Sequence, residues 1–200
     1  MSKSLDFYGM ADKVADRLVE TYVKEFGKVN VTNFDALNVI KQSKKLYSWL
    51  EKVTKESYLM LANIVYADYV EEGEELTEIW LSGILKAYNP VTRYVFDNEW
   101  ERKRQLYVEG MIASTDKKLE NKLSSARLAK QAVQYTITVA DEAQIEAYRH
   151  NGVKKVRWVS EKDNRVCDVC AGRDGHIYPI DAIPPKPHYN CRCRFEPVEG

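Results

Sequence analysis

The first 166 residues contain no cysteine, and then four cysteines fall within 27 residues, at Cys167, Cys170, Cys191 and Cys193. With His188 they spell C-x2-C-x17-H-x2-C-x-C. In a reducing compartment, cysteines this close together serve as metal ligands more often than as disulfides; a secreted origin would reverse that preference. Zinc takes a tetrahedron of thiolate and imidazole ligands, and a C-x2-C turn reverses the backbone so that both sulfurs face one point. Five donors compete for four places. His188 and Cys191 repeat the two-residue gap of the first pair, so Cys167, Cys170, His188 and Cys191 are the first choice, with Cys193 as the alternative ligand. A surplus of thiolates is the mark of a closed, structural zinc site. The competing reading is four free or disulfide-linked cysteines with no metal. His176 is read as a loop residue, and His150 as complementing a helix C-terminus.

The module around these residues differs in texture from the rest. Val153 to Val159 is β-branched around Trp158, and five of the six prolines lie from Pro179 onward. A unit of this size is too small to hold itself by burial alone, so metal-binding free energy has to become folding free energy. The preceding sequence reads as helix after helix, with Pro90 its only proline. Ala11, Ala15, Leu18, Tyr22 and Phe26 step by three or four along one helical stripe that Gly27 ends. A second segment, one long helix or two, runs from an N-cap at Asn33 to about Val70, with Tyr58, Ala62, Val65 and Tyr69 in the same spacing. After the charged break Glu71 to Glu75, a short helix is marked by Leu76, Ile79, Trp80, Gly83, Ile84 and Ala87. Asn89-Pro90 restarts the chain towards Ala113, and Ser114-Thr115-Asp116 caps a helix from Lys117 to Gln134. From Val133 to Val139 the apolar residues alternate as in a strand while the context argues helix. Thr138 or Asp141 then caps a short helix that Asn151-Gly152 closes. Trp49, Trp80 and Trp100 are expected in core and interface packing.

The expected architecture is therefore mainly α: an elongated multi-helix region followed by a small, loop-rich α+β zinc module. Its parts are a helical body over 1–132, a connecting segment and short helix over 133–152, and the Cys/His module over 153–200. With 44% apolar residues the chain can build a core, and 30 basic against 30 acidic residues leave no broad positive field for nucleic acid. The first ten residues lack the apolar stretch of a signal peptide, and no run is long enough to cross a bilayer.

The C-terminal text carries a resemblance. Ala147-Tyr148, Gly152, Val156-Arg157-Trp158, Asp163, Arg165-Val166-Cys167, Cys170 and Gly175 stand in order. Pro184, Pro185 and Pro187 follow, and His188, Asn190-Cys191-Arg192-Cys193 and Pro197 close the pattern. This resembles the phage Mu F-like head-morphogenesis family, the minor head proteins of tailed phages and prophages. The match spans about 50–60 residues and joins a metal pattern to fixed flanking residues. One departure is that Tyr135-Thr136-Ile137 stands where such proteins often carry an Arg-Thr-Glu run. The resemblance implies a virion component that acts near the portal during procapsid assembly, in the capsid interior or portal region, after synthesis in the host cytoplasm. Its implied partners are the portal protein or the major capsid protein, with contact to packaged DNA as an extension, and no membrane or small-molecule substrate. No catalytic residue is assigned. A zinc-dependent HNH-like nuclease, suggested by His188-Tyr189-Asn190, fails because His188 is committed to zinc and the Pro184 to Pro187 run breaks any helix there. A zinc-ribbon DNA-binding module gains from Arg192 and Arg194 but loses on net charge.

Overall fold

A computed structural model of the chain describes residues 6–32, 35–70, 75–87, 96, 100–188 and 191–198. Among the described residues six α-helices come first to last: α1 (Phe7–Gly27), α2 (Ala36–Tyr69), α3 (Glu78–Lys86), α4 (Trp100–Ala113), α5 (Lys117–His150) and α6 (Asp168–Arg173). Three strands, β1 (Lys155–Val159), β2 (Ile177–Pro179) and β3 (Arg194–Val198), form one antiparallel sheet in the order β2-β1-β3. The expected fold class is what is observed. The caps expected at Asn33 and Asn89-Pro90, and most of the charged break, lie outside the described residues.

The helical core follows the sequence stripe. Ala11, Ala15, Leu18, Tyr22 and Phe26 are all buried along α1, and Asp6 caps that helix by accepting from the Gly9 N–H. The second segment is one helix of 34 residues, capped by Asp35. At 1.5 Å per residue, α2 and α5 each extend about 50 Å, which makes the helical region long. Polar contacts give the directions. Tyr22 meets Thr54 at 2.5 Å, and the Tyr58 hydroxyl donates to the Ala132 carbonyl at 2.8 Å. Asn121 donates to the Phe26 carbonyl at 2.8 Å. With Phe26 edge-on to Tyr47 and the Tyr8 hydroxyl 3.1 Å from Asp141 as second points of contact, α1 runs antiparallel to both α2 and α5. Among the aromatic residues, Trp100 is buried edge-on to Phe96 and Tyr47, whereas Trp49 is 43% exposed.

Two local expectations are corrected. In α3 the buried face is Leu81 and Leu85 rather than Ile79, which is 85% exposed. A helix of nine residues is too short for its own pattern to select a face, and its neighbours decide. The second correction concerns residues 133–152, where no connecting segment interrupts the chain: α5 continues unbroken to His150, capped by Asp116 at its start. The alternation from Val133 to Val139 is helical because Ala132, Tyr135, Thr136, Val139, Ala140 and Ala143 are all buried, a face wide enough to blur the 3.6-residue period. Neither Thr138 nor Asp141 caps anything. Asn151 does terminate α5, and Gly152 takes φ +75°, as read from the sequence.

In β1, Val156 and Trp158 face inward with no exposure, and Lys155 and Arg157 face out. Their small core includes Ile180, Phe195 and three cysteines, and α5 contributes Ile145 and Tyr148 to it. The module therefore has a core, though one it shares with the longest helix. Among the described residues no helix is long and apolar enough to cross a membrane.

Candidate metal centre

Two short segments bring the sulfurs together. Cys167 is the N-cap of α6, its Sγ 3.4 Å from the Cys170 N–H that donates to it, and Cys170 sits buried at the end of the first turn. The second segment approaches β3, placing Cys191 and Cys193 in the same core. The ligand atoms of Cys167, Cys170 and His188 lie within 4.8 Å of one another, as do those of Cys170, Cys191 and Cys193. Cys170 belongs to both triads, so all five donors named from the sequence converge on one region. No disulfide links the four cysteines.

The spacing is that of a coordination shell. With Zn–S of about 2.3 Å and Zn–N of about 2.0–2.1 Å, a tetrahedron has S···S edges of about 3.8 Å and S···N edges of about 3.6 Å. Cys170 Sγ stands 3.6 Å from Cys191 Sγ and 3.5 Å from His188 Nε2. The cavity among these groups is about 20 Å³, the space of one ion or one water. The residues present therefore fit a metal ion of zinc's size and preferences.

Electrostatics point the same way. The Cys170 N–H and the imidazole of His188 hold the Cys167 thiol below its usual range. Burial and crowding by neighbouring thiols push Cys170 up, and burial pushes Cys191 up against the pull of Lys186. Several sulfurs packed together resist ionising, and a divalent cation among them reverses that cost.

The flanking motif residues brace the two segments. Asp163 accepts from the Arg165 N–H at 3.0 Å and pairs with Arg192 at 2.8 Å, tying the approach to Cys167 to the residue between Cys191 and Cys193. These contacts hold the Asp163 carboxyl below its usual range. Arg173 lies 5.0 Å over the Trp158 ring and donates to the Pro185 carbonyl at 2.8 Å. Gly175, at φ +76°, donates to the Trp158 carbonyl at 2.8 Å. His176 lies outside the cluster and stacks on Tyr178, while His150 ends α5 edge-on to Tyr66.

A second polar group escaped the sequence reading. Asp141 in α5 pairs with Lys186 at 2.7 Å, both largely buried. Lys186 also donates to the Tyr8 hydroxyl at 2.9 Å and the Cys191 carbonyl at 3.4 Å. Tyr8 donates to the Cys193 carbonyl at 2.6 Å and lies 3.1 Å from Asp141 Oδ1. Burial keeps the Asp141 carboxyl above its usual range despite Lys186. A carboxylate within the apolar run Val139, Ala140, Ala143 was the available signal, because a charge on a buried face needs a partner.

Comparison with curated proteins and with solved structures gives no significant match for this chain. The family model described as "Phage Mu protein F like protein" matches residues 105–196, slightly under half of the chain. That span begins inside α4 and takes in all of α5, well upstream of the cysteine text. The likeness to the Mu F-like family is thereby shown from Gln105 to Glu196, as a unit made of the long helix and the Cys/His module together.

Proposed function

We propose that the chain is a minor head protein of a tailed phage or prophage that acts in procapsid assembly near the portal, and that it is not an enzyme. The observation that carries this reading is the family match over residues 105–196. Its partners on this reading are the portal protein or the major capsid protein, with contact to packaged DNA as an extension, and its place is the virion.

Within it, Cys167, Cys170, His188 and Cys191 hold one structural zinc ion, with Cys193 as the alternative ligand. The metal staples the module of residues 153–200, and the helical body of 1–132 supplies protein contacts. Residues 133–152 join the two, as the last turns of α5 to His150 and the turn at Asn151-Gly152. The support for a structural role is the donor set: four thiols and an imidazole converge on a space of about 20 Å³, enough for one ion. Bound zinc supplies a dication that neutralises clustered thiolates, while the chain's own residues orient the shell.

The test is co-expression of the chain with the portal and coat proteins of its own phage, followed by sedimentation of the particles. The chain is expected to travel with procapsids and to bind immobilised portal. A chain that stays at the top of the gradient and binds neither protein refutes the reading.

A further inference from the structure

Where α3, α5 and the proline-rich loop meet, a cleft of about 270 Å³ opens. Ile84, Ile145, Ile183 and Phe195 give it apolar walls, and Asp141, Glu142 and Lys186 line it with charge. Asp141 and Lys186 neutralise each other at 2.7 Å. Glu142 has no such partner, since no hydrogen bond or ion pair reaches its carboxylate from any described residue. The cation two turns further along α5, Arg149, pulls on Glu142 only from a distance and is already engaged by Glu146 at 3.1 Å and Asp181 at 3.2 Å. Partial burial and the neighbouring carboxylates push Glu142 up to about 6, so near neutral pH the group is ionised at a net cost to the fold. A lone carboxylate held at such a cost on the wall of an apolar cleft is poised for a cation that arrives from outside.

We propose that this cleft docks a basic side chain, an arginine, presented by a partner protein. Charge complementarity with Glu142 selects the occupant. The guanidinium matches a carboxylate in a two-point pair, and its methylene stem packs on isoleucine and proline walls, which a compact hydrated ammonium does less well. The volume agrees, because drug-sized ligands occupy about 300–1,000 Å³ and this cleft falls short of that range. It accommodates one or two side chains. The inference stands apart from the assembly reading: the cleft would take its arginine whatever particle the partner belongs to, and co-sedimentation with procapsids does not measure it.

The test is an NMR titration of the 200-residue chain, purified in zinc-containing buffer, with N-acetyl-arginine methylamide, and with N-acetyl-citrulline methylamide as the neutral isostere. Saturable shifts are expected at Thr138 to Ile145 and Ile183 to Lys186. Citrulline should bind about tenfold more weakly, and Glu142→Gln should lose the arginine preference, because the charge-assisted pair is gone. Absence of saturable shifts, equal binding of the two probes, or an unchanged preference in Glu142→Gln each overturns the proposal. Spermidine retained more tightly than the arginine probe would assign the cleft to a free polyamine and overturn it as well. If Glu142→Gln does not fold, the comparison of arginine with citrulline on the native chain still decides.

Discussion

The Tyr8 hydroxyl donates to the Cys193 carbonyl at 2.6 Å, joining the first turn of α1 to the cysteine segment across 185 positions of sequence. The same oxygen receives Lys186 and lies beside Asp141, so α1, α5 and the candidate metal centre share one buried polar knot. In a low-dielectric setting such a knot is rigid when complete and costly when one member is lost.

Removing the Tyr8 hydroxyl alone should be modest. Tyr8→Phe keeps the ring under Lys186 and deletes the bond to Cys193, so a loss of about 1–2 kcal/mol is expected. Urea unfolding measures the loss, and hydrogen exchange should speed up in β3 and in the first turn of α1. Unchanged exchange in both segments would show that the contact does not couple them.

Asp141→Ala should be severe, because it leaves the Lys186 ammonium buried without its partner. A cost of about 3–5 kcal/mol is expected, whereas the double replacement Asp141→Leu with Lys186→Met should cost much less than either single change. Denaturation of the three variants checks this. Additive losses would contradict a coupled pair.

The candidate metal centre makes a stoichiometric prediction of about one zinc per chain by elemental analysis. Cys167→Ser should weaken zinc binding at least about tenfold, or about 1.4 kcal/mol, and raise exchange across residues 153–198. The far-UV signal of the long helices should persist, since they contribute no ligand. His188→Ala and Cys193→Ser separate the two ligand sets. Loss of metal in the cysteine variant and retention in the histidine variant would make Cys193 the fourth ligand.

Glu142 sets a pH dependence with a definite sign. Its carboxyl is pushed up to about 6 in the fold, chiefly by burial and then by Asp141 and Glu146. Between its usual value of about 4.5 and 6 the native state holds more protons than the unfolded chain, so stability falls as pH rises through that window. Glu142→Gln removes this contribution. It should stabilise the protein by about 1–2 kcal/mol at pH 7.5 and by almost nothing at pH 4.5. Thermal melts of the two proteins at both pH values check it, with their difference cancelling any acid effect on the metal ligands. A variant less stable than the native chain at pH 7.5 would contradict the assignment.

What the chain reveals by itself is local. The i, i+3, i+4 stripe in α1, the capping Asp116, the left-handed Gly152 and the β-branched run around Trp158 were legible because each depends on a few neighbouring residues. The five donors were legible because ligand chemistry restricts residue type and spacing. Tertiary packing decided the rest. It turned the ambiguous stretch after Val133 into the middle of α5, since burial against several helices overrides a two-residue alternation. It chose Leu81 and Leu85 as the inner face of α3. It also converted Asp141 from an expected cap into the partner of Lys186. No spacing rule links positions 8, 141, 186 and 193. They meet because α1 lies antiparallel along α5 and the cysteine segment closes over their shared end.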